Sequence, residues 1–175
     1  MPGVAAPSGW SFEGFAGYTD TTESFGDEVV YGLRGGRRLR PHLALELAVE
    51  RDERSSHFLT MPQVAVETDL TFLDLSVVGF VNPGERAEWY FLGGPGWGWR
   101  EREVRFPMGL HATGSADWLT AHVGTGVRIG LGRRAYLRPE LRWRWSEKVE
   151  DGGFSLDETT DFELTLAVGV AVGPR

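Results

Sequence analysis

Cysteine is absent from the sequence, so the chain has no disulfide framework and no thiolate for catalysis or metal binding. There is also no unbroken apolar run near the roughly 18 residues that a transmembrane helix needs. That excludes helical spans and leaves membrane strands open, because their signal per segment is far weaker. Positive charge is in deficit: 18 Lys and Arg stand against 25 Asp and Glu, for a formal net charge of −7. A nucleic-acid binder would carry a basic face instead. The histidines lack metal-ligand spacing and the acidic stretches lack a calcium-loop pattern, so neither a metal nor a cofactor is expected. The opening residues MPGVAAPSG carry neither the basic nor the apolar region of a secretory signal. Either such a segment lies outside this sequence or the protein is not exported.

What the chain does have is glycine, tryptophan and alternation. It counts 24 Gly and 7 Trp in 175 residues, a turn-rich, all-β composition for one domain spanning 1–175 with a short tail at 1–9. Residues 135–145 set the pattern: Tyr136, Arg138, Glu140, Arg142 and Arg144 share one parity, and Leu137, Pro139, Leu141, Trp143 and Trp145 share the other. Strand side chains alternate between the two sheet faces, so this is a strand with one charged and one apolar face. The same reading recurs in segments beginning near Trp10, Val29, Leu43, Phe72, Glu88, Leu119 and Phe162. Eight strands result, each near the roughly 9–11 residues that cross a bilayer at a tilt.

Short and long connections alternate between them. Tight turns are expected at Gly35-Gly36-Arg37, Asn82-Pro83-Gly84 and Gly132-Arg133-Arg134, and long loops at Thr19–Asp27, Arg51–Gln63, Arg100–Asp117 and Ser146–Thr160. The short end carries arginine (Arg37, Arg38, Arg40, Arg86, Arg133, Arg134) and the long end carries acid, including Asp20, Glu23, Asp27, Glu147, Glu150, Asp151, Asp157 and Glu158. A meander with its long loops at one end and short turns at the other is the layout of a membrane barrel. Pro95 and Pro139 each remove a ladder hydrogen bond, and a local bulge is expected at both.

Which face points inward decides the class. The apolar parity carries no charge in any segment, as contact with hydrocarbon demands. Six tryptophans, Trp10, Trp89, Trp97, Trp99, Trp143 and Trp145, fall at the ends of that parity, with Trp118 just before the sixth segment, as interface girdles would. The polar parity is rich in Gly and Ala, which makes room inside a narrow lumen for long charged side chains. Arg34, Glu46, Glu50, Arg128, Arg138, Glu140, Arg142, Arg144 and Glu163 all lie on it. Charges this crowded must pair, and the expectation is a packed ion-pair network, with Glu140 beside Gly126 and neighboured by Arg128, Arg138 and Arg142. A gated polar pore is the alternative use of the same residues. The other class is a soluble, lipocalin-like eight-stranded barrel that turns the apolar parity inward around a small apolar ligand.

FEGFAGYTD (12–20), VVYGLRGG (29–36), LALELAVE (43–50), YFLGGPGWGW (90–99), VGTGVRIGLG (123–132) and LRPELRWRW (137–145) together resemble the small OmpA-like, porin-family outer-membrane barrels. The resemblance implies an eight-stranded antiparallel up-and-down transmembrane β-barrel of the Gram-negative outer membrane. It further implies a monomer with periplasmic termini and no enzymatic activity. The expected partners are the lipid bilayer and, through the long loops, lipopolysaccharide or a host or surface ligand. Members usually end the last strand in an aromatic residue, whereas this chain ends VAVGPR. Lipid A deacylases of similar fold carry His-x-Ser-Asn; here His122 is followed by Val123, Gly124 and Thr125, so that motif is missing. His111, Thr113, Ser115 and Asp117 are read as polar loop residues, and no catalytic residue is assigned.

Overall fold

Alternation of period two means that each strand can hide only one of its two rows, and eight such strands can hide the same row together only by closing into a cylinder. The computed structural model describes residues 9–21, 28–57, 65–105, 111–147, 149–151, 154–156 and 159–173. Among these, β1 (Trp10–Thr21), β2 (Glu28–Arg40), β3 (Leu43–His57), β4 (Ala65–Phe80), β5 (Ala87–Arg105), β6 (His111–Gly130) and β7 (Ala135–Ser146) follow one another as an antiparallel meander. β8 (Val149–Asp151) and β9 (Phe154–Leu156) form a small separate hairpin, and β10 (Thr159–Val172) closes the barrel between β7 and β1. Trp10 pairs with both Val172 and Arg37, so the first and last barrel strands meet at the short-turn end.

The apolar row faces outward on every strand. Leu33, Phe91, Leu164 and Val168 are among its most exposed members, while Arg138, Glu140, Arg142 and Arg144 are no more than 2% exposed. This is the inverse of a soluble barrel, and it removes the lipocalin-like alternative, which needs the apolar row inside. Trp10 and Trp89 stand outward at the turn end; Trp97, Trp99, Trp143 and Trp145 stand outward at the loop end, where Trp143 packs on Phe162 with ring centroids 5.1 Å apart. From Trp89 to Trp99 the chain climbs about 25 Å, at about 3.3 Å per residue and a tilt near 40°, which matches the apolar band of membrane barrels.

Several local expectations change. Trp118 is not a girdle residue: it points into the barrel, 8% exposed, with its ring edge-on to Phe72. It lies on the even, inward row of β6, one residue off the odd, outward row that carries Leu119. The strands also run longer than a bilayer crossing requires, and β6 reaches 20 residues. Much of the segments expected as loops after β3 and β5 is strand, continuing the β3–β4 and β5–β6 ladders to His57↔Ala65 and Arg105↔His111. β2 likewise runs through Gly35-Gly36-Arg37 to Arg40, with a register shift between Arg38 and Arg40 before the turn at Pro41 and His42. Glu23, Asp27, Asp157 and Glu158 lie outside the described residues.

Neither proline makes a bulge. The β4–β5 ladder lapses opposite Gly94 and Pro95 and resumes in the same register, and the β6–β7 ladder lapses opposite Arg138 and Pro139 in the same way. Each proline keeps its place in the ladder on its other side, with Ala121 and with Leu166. A skipped rung is thus enough to accommodate the missing N–H.

Brominated lipids quench tryptophans that touch acyl chains. Refolded in such vesicles, the Trp97→Phe variant should lose quenchable fluorescence relative to the parent, whereas Trp118→Phe should lose only an unquenched component. The reverse pattern would place Trp118 in lipid.

Candidate functional site

The site is the lumen, and β7 is its spine. Tyr136, Arg138, Glu140, Arg142 and Arg144 all point inward and are buried. Glu140 is the hub of the half nearer the turns. Arg34 reaches it from β2 with two parallel bonds of 2.8 and 3.0 Å, and Arg142 donates at 2.9 Å. Arg138 Nη2 lies 2.9 Å away, and the Tyr90 hydroxyl donates at 2.8 Å. Glu13 and Glu46 complete this half by accepting from Arg138 at 3.0 and 2.8 Å. In the half nearer the loops, Glu50, Asp74 and Glu163 surround Arg142 and Arg144; Asp74 Oδ2 accepts from the two arginines at 2.9 and 2.8 Å. Arg142 joins the halves, because it touches Glu140 on one side and Asp74 and Glu50 on the other.

Charges buried this deeply are tolerable only in such company. An unpaired ion in a low-dielectric interior costs several kcal/mol, and here each guanidinium has more than one carboxylate in reach. The bidentate Arg34–Glu140 geometry adds directional strength.

Glycine on an intervening strand is what lets these groups meet. Gly126 pairs with Tyr90 on one side and Glu140 on the other, and the hydroxyl of Tyr90 bonds Glu140 across the gap. Gly169 stands in the same way between Glu13 and Tyr136, whose hydroxyl donates to Glu13 at 2.8 Å. Gly98 stands between Phe72 and Trp118. A side chain at any of the three would strike the ring that fills the gap. The small residues of the polar row therefore make room for aromatic rings as well as for the arginines and glutamates expected from the sequence.

Of the nine residues expected in the network, Arg34, Glu46, Glu50, Arg138, Glu140, Arg142, Arg144 and Glu163 come together. Arg128 does not join them; its guanidinium lies over the Tyr136 ring, 3.6 Å from the centroid, toward the turn-end mouth. Its register neighbour on β5 is Glu88, but that carboxylate is taken by Arg38 at 2.8 and 3.0 Å and by the Gly84 backbone N–H at 2.7 Å. Gly84 can present that N–H because it holds a φ of 85°, a conformation open to glycine. Glu13, Asp74, Tyr90 and the Arg38–Glu88 pair were missed by sequence reasoning. Parity alone would have found Glu13, Asp74 and Tyr90, whereas Arg38 was hidden by reading a turn where β2 continues.

One constellation has the residue types of a hydrolase. Ser76 and His122 face each other across Gly94, with Ser76 Oγ 2.8 Å from His122 Nε2, and His122 Nδ1 lies 3.6 Å from Asp74 Oδ1. The last distance is too long for a hydrogen bond, Asp74 is bound to two arginines, and Ser76 is 3% exposed. Thr113, Ser115 and Asp117 sit on the outward row of β6 beyond the girdle, strung along the strand and not converging on one another. No cluster of described residues has the composition of a metal site.

No protein-family model matches the chain, and no curated protein matches it. Solved structures do. Neisserial surface protein A superposes with a TM-score of 0.71 at 15% identity, covering 94% of this chain and 98% of that one. The fold is that of the small outer-membrane β-barrels. A major outer membrane protein from Thermus thermophilus matches with a TM-score of 0.68 at 13% identity, covering 94% and 98% of the two chains. Ail, the attachment invasion locus protein of Yersinia pestis, matches with a TM-score of 0.61 at 12% identity, covering 94% and 99%.

Gly126→Ala should destabilise the barrel by about 1–3 kcal/mol through overpacking against Tyr90 and the Pro139 carbonyl. Gly132→Ala, with nothing within 4 Å of its new methyl group, should be nearly neutral. Urea unfolding in detergent or lipid measures both. Equal effects would show that the lumen glycine has no special role.

Proposed function

We propose that this chain is a non-enzymatic outer-membrane barrel whose lumen is a closed, charge-paired plug. It serves the envelope as a structural anchor that presents the loop end at the cell surface. The observation that carries this is the burial of Arg138, Arg142 and Arg144 at no more than 2% exposure, each held by several carboxylates in the middle of the barrel. Such a cross-section has no continuous water path, and opening one would separate ions that a low-dielectric interior holds together.

The eight barrel strands close on themselves, each paired on both sides within the barrel wall, which supports a monomer, since the wall offers no edge to a second copy. The loop end faces outward in this reading and both termini face the periplasm. The extended β3–β4 and β5–β6 hairpins rise past Trp99 toward lipopolysaccharide or a surface ligand. Adhesion would be carried by that end, not by the lumen.

Two measurements test this. Refolded protein should need detergent and should migrate differently on a denaturing gel when left unboiled, whereas a folded monomer in plain buffer would defeat the membrane reading. In planar bilayers the folded protein should give no discrete conductance steps, and Glu140→Ala should give the same silent baseline as long as the barrel stays folded. Steps that change with Glu140→Ala would instead establish a gated pore through the ion-pair network.

A further inference from the structure

The turn-end mouth of the barrel holds a cavity of about 60 Å³, room for a small polyatomic ion. Five arginines line it, Arg38, Arg86, Arg128, Arg133 and Arg134, against three glutamates, Glu46, Glu85 and Glu88. The arginines outnumber the glutamates by two, and each glutamate has a partner of its own. Glu88 is held by Arg38 and the Gly84 N–H, Glu46 by Arg138, and Glu85 accepts from the Asn82 side-chain amide at 2.8 Å. The cavity is therefore electropositive, at the end of a chain whose overall charge is −7.

Arg128 is the decisive residue. Its flat face rests on the Tyr136 ring at 3.6 Å, and the carboxylate its register offers has been taken by Arg38. Stacking fixes the plane of a guanidinium and leaves its edge donors free, and that edge is the fork that matches the oxygens of phosphate. Arg86, Arg133 and Arg134 are exposed, and they come from two turns whose backbones are tied into the barrel rim. The Gly130 N–H donates to the Arg86 carbonyl at 2.8 Å, and the Ala171 N–H donates to the Arg134 carbonyl at 2.9 Å. One preset arginine with three exposed arginines on anchored turns is a cradle for an anion.

We propose that this mouth is a binding site for a phosphate-bearing anion, with Arg128 as its fixed donor and Arg86, Arg133 and Arg134 closing over it. The same chemistry is offered by free phosphate and by the headgroup of an anionic phospholipid in the adjoining leaflet. The mouth lies beside Trp10 and Trp89, which mark headgroup depth on the outer wall.

The test uses the full chain refolded in a non-ionic detergent at low ionic strength, with inorganic phosphate as the probe and phosphorus NMR or calorimetry as the readout. Saturable binding is expected. Arg128→Gln should weaken it at least tenfold, and the exposed pair Arg133→Ser with Arg134→Ser should weaken it severalfold without touching the plug, so a folding failure of the first variant does not decide the matter. Repeating the titration in vesicles identifies the source. If phosphatidylglycerol lowers the apparent phosphate affinity at least tenfold relative to phosphatidylcholine, a lipid headgroup occupies the site. If the affinity is equal in both, the site takes the free anion. Absence of saturation, or binding unchanged by both variants, overturns the proposal.

Discussion

The interior of this barrel is organised around the carboxylate of Glu140, buried and met by a partner on every side. Arg34, Arg138 and Arg142 arrive from two strands, and Tyr90 from a third, to surround it. Removing one partner from such a group typically costs about 3–5 kcal/mol, because the others are left buried and uncompensated. By contrast, Arg51 and Asp69, at 49% and 46% side-chain exposure, form the kind of surface pair whose contribution is roughly 0–1 kcal/mol. Polar interior and apolar exterior are one requirement seen from two sides. Once lipid claims the Leu, Val and Trp row, period-two geometry leaves the charged row nowhere else to go.

The part of this architecture that a sequence displays is the part governed by alternation. The parity of 136–144 against 137–145 places β7 and its inward charges correctly, and the uncharged outward rows point to lipid. Distances across the lumen are not encoded in that way. Arg34 and Glu140 are brought together by barrel closure, not by any spacing between them, and Arg128 is diverted because Arg38 captures the carboxylate beside it. Arg38 itself was obscured by the glycine pair Gly35-Gly36, which reads as a turn but continues as strand. Trp118 fell on the wrong side because the strand it belongs to begins earlier than its polar, loop-like composition indicates. Pro95 and Pro139 need no bulge because a barrel strand can lapse on one side while its other neighbour holds the register.

The glycines link sequence to interior more directly than any charged residue. Gly126, Gly169 and Gly98 each open a gap between the two strands that flank their own, and side chains meet across it: Tyr90 with Glu140, Tyr136 with Glu13, Phe72 with Trp118. This also explains why Ser76 and His122 meet. Their contact follows from Gly94 between them, and both side chains are buried, so the contact is part of the interior packing.

The central claim is that the charged row faces a closed lumen and the apolar row faces lipid. Because the chain has no cysteine, single cysteines carrying a nitroxide can be placed along β10 without background. In vesicles, collision with dissolved oxygen, which partitions into acyl chains, should peak at positions 162, 164, 166, 168 and 170 and fall at 163, 165 and 167. A polar nickel reagent should reach neither set at mid-membrane depth. An inverted pattern, with high oxygen access at 163, 165 and 167, or nickel access throughout the odd positions, would contradict the account.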